Sequence, residues 1–491
     1  MSAAGGGRDE QSGEMSTLMS ASEVLSGTPR GGERLVLVLV WSRDEPGRVG
    51  ELLDPFAAGR RCFTVGRSGE TGSDGAAPLL LRQLRPTGAR ETGPFRSARI
   101  SRRQLCLTID GVGRLEVERL ARSRLLVNDR AVDRAAIAVG DLVEVERRFI
   151  LLASTRPQGW PSGGGSGDDF AFAAADCGGI VGESTAIWSL RQQIAFIGRR
   201  RGHTLVHGPS GSGKELVVRS IHALSERRAR PLVARNAATI PEPLIDAELF
   251  GNLKNFPNPG MPERSGLFGE ADGSTLFLDE IGELPEAMQA HLLRVMDRGE
   301  YQRLGEARMR STDARVIGAT NRDLTQLKHD VLARFFHRVA VPGLDARVDD
   351  VPLLARHILR GLADEEPELR ARYFDGDEPR LSAALARALL RRRYTTHARE
   401  LVQLLWRSAQ TSRGRELEPP PDDVAPASAS TPEREPASEP TSGVDIAEIP
   451  REAVVDALAR CKGVQERAWR ELGLRNRYQL RRLLKKFAIP T

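Results

Sequence analysis

A glycine-rich segment carries the clearest chemistry in this sequence. A short apolar segment, residues 205–206, runs into Gly208-Pro-Ser-Gly-Ser-Gly-Lys-Glu215, and a helical pattern follows over residues 216–224. Glycines let backbone N–H groups wrap phosphate oxygens at a helix N-terminus, and a lysine adds a cation for the β- and γ-phosphates. The pattern predicts an ATP site formed by Gly208, Pro209, Ser210, Gly211, Ser212, Gly213, Lys214 and Glu215.

Two further apolar segments end in polar side chains that suit phosphoryl transfer. The segment that begins at Gly273 ends in the adjacent acids Asp279 and Glu280, and the segment from Arg315 ends in Asn321. Neighbouring side chains at a strand end point in different directions. We therefore expect Asp279 to hold Mg²⁺ through water, Glu280 to polarise the attacking water, and Asn321 to sense the γ-phosphate or to orient water. Alone, each is compatible with an ordinary solvated turn; their agreement with the glycine loop predicts ATP hydrolysis.

Two linker-like stretches divide the chain into three pieces. Residues 157–169 are rich in Gly, Pro and Ser, and residues 414–443 in Pro, Ser and Glu, which is typical of flexible linkers. The first piece has short β-rich runs separated by turn signals, which predicts a β-sandwich. The central piece alternates apolar strands with amphipathic stretches and predicts a parallel α/β sheet. The last piece has a helical pattern throughout.

Composition limits the classes of partner. The chain has 72 Lys and Arg against 66 Asp and Glu, a net charge of +6, so contact with nucleic acid must be local. Its four cysteines, Cys62, Cys106, Cys177 and Cys461, lack metal-ligand spacing and a dense disulfide pattern, which favours a reducing cytoplasm. The start lacks a signal-peptide pattern. The longest apolar run, residues 35–41, is much shorter than the roughly 20 residues that span a bilayer, so we expect no membrane segment.

The central piece resembles the bacterial enhancer-binding AAA+ activators of sigma-54 RNA polymerase. The matching motifs are Gly182-Glu-Ser, Asn236-Ala-Ala, Glu248-Leu-Phe-Gly251, Asp279-Glu-Ile-Gly-Glu-Leu-Pro285, Ala319-Thr-Asn321 and Asp349-Asp-Val-Pro-Leu-Leu354. The resemblance implies a homo-oligomeric ATPase ring, usually a hexamer. It also implies that Asn236 couples Glu280 to the remodelling loops, that Arg399 is the sensor arginine of a small helical lid, and that Arg334 is an arginine finger reaching a neighbouring subunit's ATP.

One loop departs from the family. Its members carry a Gly-Ala-Phe-Thr-Gly-Ala loop that touches sigma-54, whereas this chain has Asn255-Phe-Pro-Asn-Pro-Gly260 at the same spacing. The lid's usual Trp-Pro-Gly-Asn is Tyr394-Thr-Thr-His397, and such departures allow for slow hydrolysis. Either the loop contacts sigma-54 in another way, with Phe256 as the aromatic residue, or the ring drives or represses transcription through other contacts. A third alternative is a phosphopeptide adaptor with an inactive ATPase core.

The first piece resembles the forkhead-associated domain, a β-sandwich that reads phosphothreonine through its loops. The matching segments are Gly66-Arg67-Ser68, Ile100-Ser-Arg-Arg-Gln104, Val127-Asn-Asp129 and Gly140-Asp-Leu-Val-Glu-Val145. The resemblance implies that Arg67, Ser101 and Arg102 hold the phosphate of a phosphothreonine protein or kinase by charge-assisted hydrogen bonds. The family's usual His is Gln104 here, so a sandwich that serves only protein contacts is the alternative.

The last piece predicts a DNA-binding module. Val454, Val455 and Leu458 mark one apolar helix face, Gly473 breaks a second helix, and a basic third helix follows. These are the parts of a helix-turn-helix, and the end resembles the Fis-type domain. The residues predicted to contact DNA are Arg475, Arg477, Tyr478, Gln479, Arg481, Arg482 and Lys485. A basic helix in a packing module is the alternative.

The complete interpretation is a multidomain, cytoplasmic, DNA-bound ATPase that uses ATP and Mg²⁺. Its expected divisions are a disordered lead (1–34), a forkhead-associated-like β-sandwich (35–155), a linker (156–177), an AAA+ α/β P-loop ATPase subdomain (178–345), its helical lid (346–413), a disordered linker (414–444) and an all-α helix-turn-helix domain (445–491). Expected partners are enhancer or operator DNA, sigma-54 RNA polymerase, a phosphothreonine protein, and further copies of the chain.

Overall fold

The structure is a computed structural model that describes residues 32–72, 75–159 and 170–421, with a few single positions beyond. Contacts divide the chain into two compact units, Met1–Ala425 and Pro426–Thr491. In the second unit the described positions Arg451, Val454, Asp456, Arg460 and Leu484 are helical. The residues predicted to contact DNA, from Arg475 to Lys485, lie outside the described residues. All contacts reported below belong to the first unit.

The N-terminal part of the first unit is a β-sandwich. Its strands are β1 (Glu33–Ser42), β2 (Leu52–Leu53), β3 (Cys62–Val65), β4 (Ala77–Pro78), β5 (Leu81–Arg85), β6 (Gly88–Gly93), β7 (Leu105–Ile109), β8 (Leu115–Arg119), β9 (Leu125–Val127), β10 (Arg130–Val132), β11 (Arg134–Ile137), β12 (Leu142–Val145) and β13 (Phe149–Pro157). One sheet has the order β10-β9-β12-β13-β1-β2-β5-β6 and the other β11-β8-β7-β3-β4. Apolar side chains from both sheets, including Leu37, Phe63, Leu107 and Leu151, share one core. The β-rich region predicted from the turn-separated apolar runs is therefore present.

The central part is a parallel α/β sheet with helices. Its elements are α1 (Thr185–Gly198), β14 (Thr204–His207), α2 (Lys214–Ala223), β15 (Val233–Asn236), α3 (Ile245–Phe250), α4 (Leu267–Glu270), β16 (Thr275–Asp279), α5 (Glu286–Arg298), β17 (Glu300–Tyr301), β18 (Arg310–Ser311), β19 (Arg315–Thr320), α6 (His329–Arg334) and β20 (His337–Ala340). The sheet order is β15-β16-β19-β14-β20, and all its pairings are parallel. Because parallel strands end at one edge, β14, β16 and β19 deliver their polar termini to one place.

A small helical lid follows the sheet. Its elements are α7 (Val351–Glu365), α8 (Pro367–Tyr373), β21 (Phe374–Asp375), β22 (Glu378–Pro379), α9 (Ala383–Arg391) and α10 (His397–Thr411). The helices pack through the buried side chains of Leu359, Tyr373, Leu385 and Leu401. Ser382 begins α9 as its N-cap, since its side chain accepts a hydrogen bond from the Leu385 N–H at 3.1 Å.

The sandwich packs directly on the lid. The outward side chains Val36, Val38 and Val40 of β1 join a buried cluster with Ala386 and Leu390 of α9. Two polar contacts also join the sandwich to the ATPase part. The Trp41 indole N–H donates to the Leu381 carbonyl at 2.8 Å. Arg156 pairs with Asp349 at 2.7 Å, and the side chains of both residues are at least 93% buried. The interface therefore has an apolar centre and buried polar contacts.

A second contact joins the sandwich to the start of the ATPase part. Arg85, at the end of β5, makes two hydrogen bonds to the carboxylate of Glu183, at 2.7 and 3.2 Å. The Arg85 guanidinium also lies over the rings of Phe170, Phe172 and Trp188, with 4.5 to 5.5 Å to the ring centroids. Phe170 and Phe172 belong to the segment predicted as a linker, and they are packed here against both domains. Within the described ranges, no helix combines the length and apolarity needed to cross a bilayer.

Candidate active site

The glycine loop wraps the space in front of helix α2. Gly208, Gly211 and Gly213 have φ values of 155°, 75° and 100°, which side chains with a Cβ rarely adopt. A Cβ on Gly208 would lie 2.6 Å from the Val341 carbonyl oxygen, and one on Gly211 would lie 2.2 Å from that of Thr396. Only glycine therefore fits at these two positions. The loop forms a cradle of backbone groups before a helix N-terminus, which suits the phosphates of ATP.

Lys214 begins helix α2 and folds back over the loop. Its Nζ donates to the carbonyl oxygens of Gly208 at 2.9 Å and Pro209 at 3.2 Å. Burial lowers the pKa of Lys214, and the negative charges of Glu280 and Asp279 oppose this shift. Glu215, the next residue, pairs instead with Arg219 on the exposed side of the helix at 2.7 Å. Lys214 is thus a cation that contacts the loop and interacts electrostatically with the acid pair.

The acid pair stands at the end of β16, next to β19 in the sheet. The Glu280 N–H donates to Asp279 Oδ1 at 3.1 Å, and Glu280 itself has a φ of 51° in the left-handed region. The Asn321 N–H donates to Glu280 Oε2 at 3.3 Å. The carboxylate of Asp279 therefore accepts from the main chain of Glu280, and the carboxylate of Glu280 accepts from the main chain of Asn321.

Asn236 lies at the end of β15, where it pairs in register with Asp279. Its side-chain oxygen accepts a hydrogen bond from the Ala238 N–H at 2.9 Å and caps the short 3-10 helix Ala237–Thr239. The structure brings Asn236 to the same sheet edge as Glu280, with its side chain engaged locally.

The lid reaches the glycine loop through Arg399. Arg399 Nη1 donates to Ser210 Oγ at 3.0 Å, and the Ala398 N–H donates to the Gly211 carbonyl at 3.2 Å. His397, just before, has a φ of 46°, and its Nδ1 accepts a hydrogen bond from the Leu344 N–H at 3.2 Å. Burial lowers the pKa of His397, which favours the neutral imidazole that accepts this hydrogen bond. A residue of the altered lid motif therefore fixes the turn that positions Arg399.

Two buried charged residues near the glycine loop were not predicted. Arg347 Nη2 donates to the Ser212 carbonyl and Nη1 to the Val181 carbonyl, each at 3.5 Å. Asp350 Oδ1 accepts hydrogen bonds from the N–H groups of Glu183 at 2.7 Å and Ser184 at 2.9 Å. Burial raises the pKa of Asp350 to about 6 and lowers that of Arg347. Asp350 lies in the Asp349–Leu354 motif, but the backbone groups that it binds come from a distant segment of the chain.

Arg334 lies away from this cluster, at the end of α6. Its Nε pairs with Asp297 Oδ1 of α5 at 2.7 Å, and the Arg334 side chain is 47% exposed. The single subunit therefore does not bring Arg334 to the glycine loop, and a role at an ATP site requires a second copy of the chain.

The loop at 255–260 is tied to its neighbours at its base. Asn252 is fully buried, and its Nδ2 donates to the carbonyls of Pro262 at 2.8 Å and Leu253 at 2.9 Å. Phe256 is 41% exposed and packs on Gly305, where a Cβ would lie 2.6 Å from the Phe256 ring. The loop borders a cleft of about 570 Å³ lined by Phe250, Phe256, Tyr301 and Met309, among others. The loop therefore presents the partly exposed aromatic side chain of Phe256, and hydrogen bonds of Asn252 hold its base.

The residues predicted to hold phosphothreonine come together on two adjacent loops of the sandwich. The Arg67 N–H donates to the Ser101 carbonyl and the Ser68 N–H to the Arg102 carbonyl, each at 3.1 Å. The side chain of Gln104 is buried, and its Oε1 accepts a hydrogen bond from the Ser101 N–H at 3.2 Å. Arg67, Ser101 and Arg102 are exposed at this end. The arrangement supplies two guanidinium groups and a hydroxyl on one surface.

A family model and curated relatives match the part of the chain that carries this site. A family model described as "Sigma-54 interaction domain" matches residues 180–344. Transcriptional regulatory protein ZraR of Escherichia coli (strain K12) is 35% identical over 312 residues, which cover 62% of this chain and 68% of ZraR. Nitric oxide reductase transcription regulator NorR1 of Cupriavidus necator is 38% identical over 309 residues, and the match covers 54% of NorR1. Crystalline NtrX from Brucella abortus in complex with ATP has 28% identity and a TM-score of 0.44 over 63% of this chain and 69% of NtrX.

The glycine cradle, the acid pair and the lid arginine define a P-loop ATPase of the AAA+ class. The chain belongs to the family of sigma-54-dependent transcriptional regulators. The matched segments span 68% of the length of ZraR and 54% of that of NorR1.

Proposed function

We propose that this chain is an ATP-driven regulator that binds a specific DNA sequence and remodels a sigma-54 transcription complex. The observation that carries the proposal is the convergence of Lys214, Glu280 and Arg399 at one glycine loop. These residues come from a helix N-terminus, a strand end and the lid. An arrangement in which the lid contacts the phosphate loop suits coupling of ATP turnover to domain movement.

Each residue has a chemical role in this proposal. The loop amides and Lys214 bind the phosphates of the substrate ATP, and Arg399 adds a second cation from the lid. Glu280, held by the Asn321 main chain, orients and deprotonates the attacking water. Mg²⁺ would neutralise charge on the phosphates, and Asp279 would hold it, since a carboxylate oxygen is a ligand that this ion prefers. Asn236 would report the state of Glu280 to the neighbouring loops.

The loop at 255–260 favours contact with sigma-54 through a changed set of residues. Phe256 is exposed, and its loop is held at the base by the hydrogen bonds of Asn252. A side chain that passes force to a partner protein needs both properties. The alternative is a DNA-bound ATPase that acts on transcription without sigma-54. A ring in which Arg334 leaves Asp297 to reach the neighbouring ATP completes the active site in both cases, and a hexamer is the expected form.

The sandwich supports a response to a phosphothreonine signal. Loop residues that precede Ser101 are tied to the turn after β1, because the Arg96 and Ser97 N–H groups donate to Glu45 Oε1 at 2.8 and 3.0 Å. Val49, at the end of the same turn, packs on Leu353 of α7. A phosphate bound by Arg67, Ser101 and Arg102 would therefore act on a loop that is connected to the lid. A sandwich that serves only protein contacts remains the alternative to this part.

DNA binding by the tail, from Arg475 to Lys485, is proposed from the basic helix-turn-helix pattern and from membership of the family. Such a protein would work in the cytoplasm, at enhancer DNA.

ATP turnover and sigma-54 capture test the proposal together. We expect wild-type protein to hydrolyse ATP and Glu280→Gln to bind it with turnover lower by about 100-fold or more, the usual contribution of a general base. Glu283→Gln is the matched control, because Glu283 is an acid three residues away that pairs with Arg322 on the surface. Its turnover should equal that of the wild type.

The same proteins are then loaded with a transition-state analogue and mixed with purified sigma-54. Capture of sigma-54 that is lost in Phe256→Ala supports the proposed target. Turnover without capture supports the alternative regulator, and absence of both binding and turnover supports the adaptor with an inactive core.

A further inference from the structure

Two cysteines that are distant in the sequence meet on the outer face of the sandwich. Cys62 lies on β3 and Cys106 on β7, and their sulfur atoms are 3.7 Å apart. The strands are antiparallel neighbours, with Cys62 opposite Thr108 and Thr64 opposite Cys106. The alternating neighbours Phe63 and Leu107 point into the core. The thiols therefore share the outer side of the sheet, where Cys62 is exposed and Cys106 half-buried.

We propose that Cys62 and Cys106 form a dithiol site that reacts with small disulfides, such as oxidised glutathione, and closes reversibly into an intramolecular disulfide. Forming the S–S bond of about 2.05 Å requires the sulfur atoms to approach by roughly 1.6 Å. Cys62 and Cys106 are diagonal partners, whose Cα atoms in a ladder lie roughly 7–8 Å apart, so closure requires a local shift of the two strands as well as rotation about the Cα–Cβ bonds. The proposal does not depend on the ATPase or on phosphopeptide binding.

The reaction proceeds by two exchanges. The thiolate of exposed Cys62 attacks one sulfur of oxidised glutathione, which forms a mixed disulfide and releases one glutathione thiolate. The thiolate of Cys106 then attacks the Cys62 sulfur, forms the protein disulfide and expels the second glutathione. Two protein thiols are oxidised, one small disulfide is reduced to two thiols, and the two protons pass to the departing thiolates.

The environments of the two thiols favour this order. Burial raises the pKa of Cys106, and the neighbouring Cys62 adds to this effect, so less Cys106 thiolate is available to react with a dissolved disulfide. The Thr108 hydroxyl, 3.8 Å from the Cys106 sulfur, opposes the shift. Once Cys62 carries glutathione, proximity outweighs the low thiolate fraction because the second step is intramolecular.

The disulfide would join the two strands that continue into the phosphate-binding loops proposed above. At this end of the ladder, the Gln104 N–H donates to the Val65 carbonyl at 2.8 Å and the Arg67 N–H to the Ser101 carbonyl at 3.1 Å. A covalent link between β3 and β7 opposes separation of these strands. Opening of the ladder, and exchange of these two amides with solvent, should therefore slow in the oxidised protein.

Peptide mapping of the full chain tests the site. The folded protein is equilibrated with oxidised and reduced glutathione, alkylated, and digested with trypsin. Arginines at 61, 67, 103 and 114 place Cys62 and Cys106 in separate peptides, so the disulfide appears as a linked pair that is two hydrogens lighter than its parts. We expect this pair to form, and to disappear when reduced glutathione is in excess.

Matched variants separate the steps. In Cys106→Ser, glutathione should remain attached to Cys62, because no second thiol displaces it; in Cys62→Ser, Cys106 should react more slowly than Cys62 does in the first variant. Exposed Cys177 is the internal control for thiol access. The proposal is wrong if Cys177 becomes modified while Cys62 and Cys106 stay unlinked, or if amide exchange at Arg67 and Gln104 is the same in the oxidised and reduced protein.

Discussion

Loss of the Arg85 guanidinium should release the sandwich from the ATPase part. Arg85 and Glu183 are 11% and 3% exposed, so Arg85→Met leaves a carboxylate without its cation in a nearly dry place. Breaking such a buried pair costs roughly 3–5 kcal/mol, and the rings around the guanidinium add about 1 kcal/mol. Glu183 keeps hydrogen bonds from the Trp188 indole at 3.0 Å and the Ala173 N–H at 2.9 Å, which reduce the penalty.

We therefore expect a net cost of about 3 kcal/mol, or roughly a hundredfold shift in the equilibrium between packed and separated domains. Native-state hydrogen exchange measures this shift at the Trp41 indole N–H, which donates to the Leu381 carbonyl of the lid and loses this bond when the domains separate. In Arg85→Met, the indole N–H should exchange about a hundred times faster than in the wild type. Arg201→Met is the control: Arg201 also pairs with an acid, Glu226, but on the exposed surface, so exchange should not change.

A double variant distinguishes loss of packing from an uncompensated charge. Arg85→Met with Glu183→Gln removes both charges, while the glutamine oxygen can still accept from Trp188 and Ala173. Most of the protection should return, since the larger cost is the unpaired carboxylate. Wild-type exchange rates in Arg85→Met would refute the reasoning, because they would mean that this contact does not hold the two parts together.

Three further predictions follow from the site. Lys214→Ala should weaken binding of a fluorescent ATP analogue at least tenfold through loss of the loop's cation, whereas Glu215→Ala should bind normally. Arg334→Ala and Glu280→Gln should each be inactive but regain turnover when mixed, because one contributes an intact acid and the other an intact finger; no recovery would exclude action between subunits. The folded-state pKa of Asp350, about 6, exceeds the ordinary 3.8. Its stabilising contribution is therefore complete below pH 3.8 and is lost as the pH rises through 6, and thermal unfolding of Asp350→Asn should lack this loss.

Local pattern was sufficient to predict the strands and loops that form the active site. The glycine spacing predicted the loop before α2, and the apolar segments ending at Asp279 and Asn321 predicted neighbouring strand ends. The sequence did not show that Arg347 would reach the Ser212 carbonyl, or that Cys62 would meet Cys106. These partners are separated by many residues, and their meeting depends on sheet order and lid position, which short-range periodicity does not encode.

The packing of sandwich on lid did leave a signal in the sequence, in the run Leu35-Val-Leu-Val-Leu-Val-Trp41. A strand of an antiparallel sandwich with one face in water alternates apolar and polar residues, but this run is apolar at every position. In the structure Leu35, Leu37 and Leu39 enter the core between the sheets, while Val36, Val38 and Val40 face the lid. The lid therefore covers the apolar face formed by Val36, Val38 and Val40. Separation of the lid from the sandwich would expose this face to water, which is unfavourable. This argues that the sandwich and the ATPase are packed as one unit, which gives the proposed phosphothreonine signal a direct route to the lid.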